Sequence, residues 1–177
     1  MEIGVGHAYS LRMSDVGELY ERDFYAWTQD QAALLRAWPE ALRPNALDLN
    51  HLAEEIEDLG KSQRRAARSL LLQVIQHLLK LRLHPDRQSE QRWKKDVNGF
   101  RDQLRDVFAE NPSLRAARDE LAADLWARAV ASLRRDLELD GFDSRAAMAP
   151  LPDPAEPCFD LDREILAEDW FPQPPAG

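Results

Sequence analysis

The chain is predicted to be all-α, an up-and-down bundle of four main helices closed by a short C-terminal helix. Three observations carry that expectation. Apolar residues recur at steps of three and four along most of the 177 residues. Strand-like alternation is nearly absent, and the prolines fall between the periodic stretches or after residue 140. The length suits one domain with a real core. It is placed at 19–172, with 1–18 flexible or partly helical and 173–177 a loose tail.

The first helix is read over about Asp23 to Ala37, with a start as early as Asp15 allowed. Tyr20, Phe24, Trp27, Gln31, Leu34 and Trp38 give it an aromatic-rich face. Pro39 and Pro44 punctuate the stretch between this helix and the next. Asp48 is positioned to cap a second, long helix with Asn50 in its first turn. His84-Pro85 ends it, because a residue before proline avoids the helical region.

With Ile56 at zero and about 100° per residue, Leu49, Leu52, Leu59, Leu70, Val74, Leu78 and Leu81 fall within about 60°. Gln63 and His77 share that stripe. From Asp48 to Arg82 such a helix would measure about 52 Å, against a diameter of roughly 40 Å for a compact domain of this length. Either the bundle is elongated or the helix bends, and Gly60 is then the expected place of the bend.

Ser89 caps a third helix carrying Trp93, Val97, Phe100, Leu104, Val107 and Phe108 on one face. Asn111-Pro112-Ser113 stops it and starts a fourth, read as continuous through Leu114, Leu121, Leu125, Trp126, Ala129 and Leu133 to about Leu137. Pro150, Pro152, Pro154 and Pro157 rule out a long helix after Asp140. A short one is expected at Leu161–Glu168, capped by Asp160, with Ile165 and Leu166 available to dock.

The net charge of −9 hides a pattern. Residues 1–60 hold 4 basic and 12 acidic side chains, residues 61–105 hold 12 and 4, and residues 106–177 hold 7 and 16. The middle block could grip phosphates, or its helices could neutralise their acidic neighbours. An acidic chain repels a polyanion as a whole, which favours the second account. No apolar run approaches the roughly 20 residues of a membrane span. The N-terminus lacks a basic segment followed by an apolar one, and a cytoplasmic location is expected. Cys158, the only cysteine, excludes an internal disulfide and a multi-cysteine zinc site. Its neighbours Glu156 and Asp160 should raise its pKa, away from a reactive thiolate.

Polar residues on or beside core faces are the candidates for chemistry. Asp23, Glu55 and His77 form the weak catalytic set, since carboxylates and imidazole acquire shifted pKa values in a low dielectric. His51, Glu55 and His77 form the weak metal set, His51 and Glu55 being one helical turn apart. Along one helix, however, Glu55 and His77 stand about 33 Å apart. No Gly-rich phosphate loop is present. No cofactor is predicted beyond a divalent metal that this set would take.

Tyr20-Glu-Arg-Asp-Phe-Tyr-Ala-Trp27, Leu49-x-x-Leu-x-Glu-Glu-Ile-Glu-x-Leu-Gly60 and His77-Leu-Leu-Lys80 resemble a bacterial family known as domain of unknown function twenty-nine. Trp93 after Ser89, Asn111-Pro-Ser-Leu114, Cys158-Phe, Ile165-Leu and Asp169-Trp-Phe-Pro172 fit the same pattern, from roughly Leu19 to Pro172. Phe159 departs from it, standing where the family often has proline. The resemblance implies an all-helical bundle and no established activity.

Three functional readings are compatible with these residues. The first is a macromolecular interaction protein without catalysis, binding a protein partner or itself. The second is a metal-dependent or acid/base enzyme with a pocket near Asp23, Glu55 and His77. The third is nucleic-acid or toxin-partner binding through basic residues 61–105. No membrane association is expected.

Overall fold

A computed structural model describes residues 17–142 and 150–174. Among the described residues every regular element is helical. In order these are α1 (Phe24–Arg36), a 3-10 turn (Glu40–Leu42), α2 (Leu49–Leu83), α3 (Glu90–Glu110), α4 (Pro112–Ala116), α5 (Arg118–Ala122), α6 (Leu125–Leu139) and a π-type turn (Leu161–Ile165). The all-α expectation holds. Asp15, most of the predicted N-terminal segment and residues 175–177 of the tail lie outside the described residues.

Local chemistry sets several helix ends. Residues 17–22 are helical, but Asp23 leaves helical geometry at φ −155° and ψ 86° and starts α1 afresh. Its Oδ1 accepts from the Ala26 N–H at 3.0 Å. Asp48 does the same for α2, accepting from the His51 N–H at 3.1 Å. That helix stops at Leu83, immediately before the His84-Pro85 pair. Ser89 precedes α3 as expected, yet its hydroxyl donates to Asp86 at 2.9 Å rather than capping. The C-terminal turn is capped by Asp160, which accepts from the Arg163 N–H, and it ends at Ile165, short of the predicted Glu168.

The predicted fourth helix is three helices. Breaks at Ala117 and at Ala123-Asp124 separate α4, α5 and α6, although no glycine or proline stands there. Arg68 supplies the reason for the second break. Its guanidinium donates to the Leu121 carbonyl at 3.0 Å and to both oxygens of Asp124 at 2.6 and 2.7 Å. A side chain far away in sequence thereby satisfies a backbone group that a continuous helix would have bonded itself.

The described chain divides into two compact units. The first comprises residues up to Ala66 together with Val107–Ala116, and the second Ala67–Asp106 together with Ala117 onward. Helix α2 is continuous through Gly60 and contributes to each unit.

The second unit has a dry, leucine-rich core. Leu71, Ile75, Leu78 and Leu79 of α2, Val97 and Leu104 of α3, and Leu125, Val130, Leu133 and Leu137 of α6 are almost fully buried. Arg101 ties the C-terminal segment to α3. Its guanidinium donates to the carbonyls of Glu164, Ile165, Glu168 and Trp170 at 2.7 to 3.2 Å and lies over the Phe171 ring. Burial pulls its pKa down to about 10, which still leaves it charged at neutral pH. His84, also buried, meets the rings of Trp93 and Phe142 edge-on and reaches Asp140 at 3.1 Å.

The first unit buries Leu49, Phe108 and Leu114, but its α1–α2 contact is made by smaller groups. Thr28 and Ala32 are the buried residues of α1, and Thr28 faces Gly60 of α2. A Cβ at Gly60 would lie 2.1 Å from Thr28 Oγ1 and 2.9 Å from Gln29 Nε2. Gly60 is thus the point where α1 presses onto α2, and the helix passes through it unbroken.

Candidate functional site

Asp23 and Glu55 lie in the first unit and His77 in the second. Asp23 is fully engaged in structure. Besides capping α1 it accepts from the Ser113 N–H at 2.6 Å and the Ser113 hydroxyl at 2.8 Å, joining α1 to α4. Glu55 and His51 are exposed. His51 pairs with Asp48 at 2.5 Å, and that hydrogen bond raises the imidazole pKa.

His77 is half-buried. Its Nδ1 lies 2.8 Å from the Gln73 carbonyl, an acceptor, which assigns the proton to Nδ1. Its Nε2 is 3.7 Å from Asp96, beyond hydrogen-bond range, and the ring meets Phe100 edge-on. Burial lowers its pKa, and the charge of Lys80 adds to that. No group of three or more His, Cys, Asp or Glu side chains is placed to hold a metal among the described residues. The Cys158 pKa is raised as expected, chiefly by burial and with Glu164 as the contributing carboxylate, while Arg82 opposes it.

The basic block is largely neutralised within its own unit. Arg68 bonds Asp124, Lys80 reaches Asp136 at 2.7 Å, Lys94 reaches Glu90 at 2.6 Å and Arg105 reaches Glu168 at 2.7 Å. Arg101 serves backbone carbonyls, and Lys61 in the first unit bonds Asp58 and Glu57. These pairings account for the alternation of charge along the chain.

The feature that stands out is apolar. Tyr20, Leu34, Trp38, Leu42, Leu47, Leu52 and Leu59 are exposed large hydrophobic residues, and all belong to the first unit. This corrects the predicted core face. Leu52 and Leu59 are 42% and 53% exposed, whereas their neighbours Ala53 and Gly60 are buried. In α1 Leu34 is exposed, Phe24, Trp27 and Gln31 are half-buried, and Thr28 and Ala32 are buried. In both helices the small residues make the contact, because only they allow the backbones to approach closely.

Helical geometry puts Leu34, Leu52 and Leu59 on one side. Thr28 opposes Gly60 and Arg36 bonds Glu57, which makes α1 and α2 antiparallel. In an antiparallel pair, equal rotations from the contact line lead to the same side. Trp27 and Leu34 lie about 100° to 120° from Thr28, and Leu52 and Leu59 about 80° to 100° from Gly60, all in the same sense. Arg36 and Glu57 are rotated in the opposite sense, and Lys61 projects with them. The carboxylates of Asp30 and Glu55, both exposed, border the apolar side. Tyr20 extends it by stacking edge-on against Trp27, with centroids 4.9 Å apart.

The chain belongs to a family described as Domain of unknown function DUF29, whose model matches residues 19–171. It is also similar to a crystal structure of an alpha-helical protein of unknown function from Rhodospirillum rubrum. The two are 30% identical, the match covers 85% of this chain and 90% of the other, and the TM-score is 0.66. None of the curated proteins matches the chain.

Proposed function

We propose, with the family's helical fold as the premise, that this protein works by binding another protein chain on the apolar side of α1 and α2. The partner element is an amphipathic helix with Lys or Arg along its borders. One observation carries the reading: Leu52 and Leu59 stay in water while Ala53 and Gly60 beside them are buried. Covering a leucine removes an exposure worth about 1.5–3 kcal/mol per side chain, and here that gain is left for binding. Contiguous apolar surface of this kind is uncommon on proteins that act alone.

The border selects the partner. Asp30 and Glu55 flank the face, and the nearby cations Arg36 and Lys61 are turned away and paired. A basic rim complements these carboxylates. A second copy laid on the same face would bring its own Asp30 and Glu55, since an isologous contact uses one patch twice. The enzyme reading gains nothing from the geometry, because Asp23 is saturated by backbone and Ser113 contacts. No helix among the described residues is long and apolar enough to cross a membrane.

Calorimetric titration with a synthetic Leu/Lys amphipathic helix tests the proposal, with a Leu/Glu peptide of the same pattern as control. The Leu/Lys peptide should bind saturably, at least tenfold more tightly than the control, and Leu52→Gln/Leu59→Gln should lose at least tenfold in affinity. Equal binding by both peptides would overturn it. So would light scattering that shows a dimer which the double variant dissociates.

A further inference from the structure

We infer that the groove between α2 and α6 in the second unit is a binding site for a compact chain of phosphate groups. Leu72 and Gln76 of α2 line one wall, and Arg128, Ala131, Arg134 and Arg135 of α6 the other, around a hollow of about 410 Å³. Ala131 makes the hollow. It is exposed, stands one helical turn from both Arg128 and Arg135, and contributes only a methyl to the wall. Those two positions are seven residues apart, about 10 Å along the helix, which lets their guanidiniums hold separate phosphates of one ligand.

Among the described residues the three arginines have no ion-pair partner, in a chain that has acid to spare. There are 32 carboxylates for 23 cations, and elsewhere in this unit Arg68, Lys80, Lys94, Arg105 and Arg118 each bond a carboxylate. Arg128, Arg134 and Arg135 make no ion pair or hydrogen bond among the described residues. Among the described residues, three carboxylates of and around α6 are engaged elsewhere. Asp124 gives both oxygens to Arg68 and feels Arg128 only at longer range, Asp136 holds Lys80, and Asp140 holds His84. Glu138 lies one turn from Arg134 and Arg135 and bonds neither. Gln76 adds an amide that can donate to a phosphate oxygen.

Three guanidiniums and an amide around one concave floor form the donor set that phosphate oxygens take, Arg being suited to bidentate contact. The basic residues 61–105 singled out from the sequence do not include these arginines. The inference is independent of the apolar face, and its failure would leave that reading untouched.

Titration calorimetry of the full chain with inorganic tripolyphosphate at low salt is the test. One-to-one saturable binding is expected. Arg128→Gln/Arg135→Gln should weaken it at least tenfold. Ala131→Leu, which fills the floor and keeps every charge, should weaken it to a similar degree with the unfolding midpoint unchanged. ATP in a parallel titration distinguishes the source: tighter binding than tripolyphosphate indicates a nucleotide tail packed against Leu72, and equal binding a free polyphosphate. Absence of saturable binding would overturn the inference. It would also fall if Ala131→Leu had no effect, or if Arg163→Gln on the exposed C-terminal turn cost as much as Arg128→Gln.

Discussion

The two units solve the packing problem with opposite kinds of residue. In the second, leucines and isoleucine from α2, α3 and α6 meet in a dry interior. In the first, Thr28, Ala32, Ala53 and Gly60 form the contact, while Leu34, Leu52 and Leu59 stand outside it. Large apolar side chains are the cheapest source of stability when they are covered. The second unit covers most of its leucines, Leu139 excepted, whereas the α1–α2 pair of the first leaves Leu34, Leu52 and Leu59 as a surface while Leu49, Phe108 and Leu114 are buried.

Four predictions put that contrast at risk, in descending size of effect. Arg101→Met should destabilise most, by about 3–5 kcal/mol, because four carbonyls of the C-terminal segment lose their donor and each unpaired buried group costs roughly 1–3 kcal/mol. Urea unfolding should show the lower midpoint, with a red shift of tryptophan emission as Trp170 is released. Leu78→Ala, at a fully buried site, should cost about 2–5 kcal/mol. If it cost less than a surface change, the second unit would not be the stable one.

Gly60→Ala should cost about 1–3 kcal/mol, since the new methyl meets Thr28 Oγ1. Removing that oxygen with Thr28→Ala should recover part of the loss, and a double-mutant cycle would return a coupling of about 1 kcal/mol. Additive effects would mean that α1 does not press on α2 at this glycine.

The smallest effect is that of pH, and it runs in opposite directions in the two units. Burial holds the His77 pKa below its ordinary value. The unfolded chain then binds a proton that the folded chain refuses, and stability falls as pH drops below about 6.5, until folded His77 also protonates. His51 is raised by Asp48, so its contribution is present at low pH and is lost as pH rises through its folded value. It is fully exposed and salt should screen it. His77→Gln should flatten the slope of stability between pH 5 and 6.5, whereas His51→Gln should leave that acid-side loss in place.

Much of the fold is written locally. Asp23, Asp48 and His84-Pro85 mark helix ends through bonds within a few residues, and the three-to-four periodicity shows helices throughout. What the sequence hides is long-range. Arg68 divides α5 from α6 across more than fifty positions, and Ser113 satisfies Asp23 across ninety. Periodicity reveals an amphipathic face without saying whether the same chain covers it. The stripe through Leu52 and Leu59 reads like the stripe through Val74 and Leu78, and only the clash distance at Gly60 separates them. A signal was present all the same: the small residues Ala53 and Gly60 stand seven positions apart beside the leucines, and both are buried.

The most direct test measures stability and binding on one protein, Leu52→Gln/Leu59→Gln. The expected result is a urea midpoint equivalent to a change of less than about 1 kcal/mol, as for surface substitutions, together with at least a tenfold loss of affinity for the basic amphipathic peptide. A loss of about 2 kcal/mol or more, on the order of a buried leucine, with peptide affinity retained would contradict it, for these side chains would then be holding the fold.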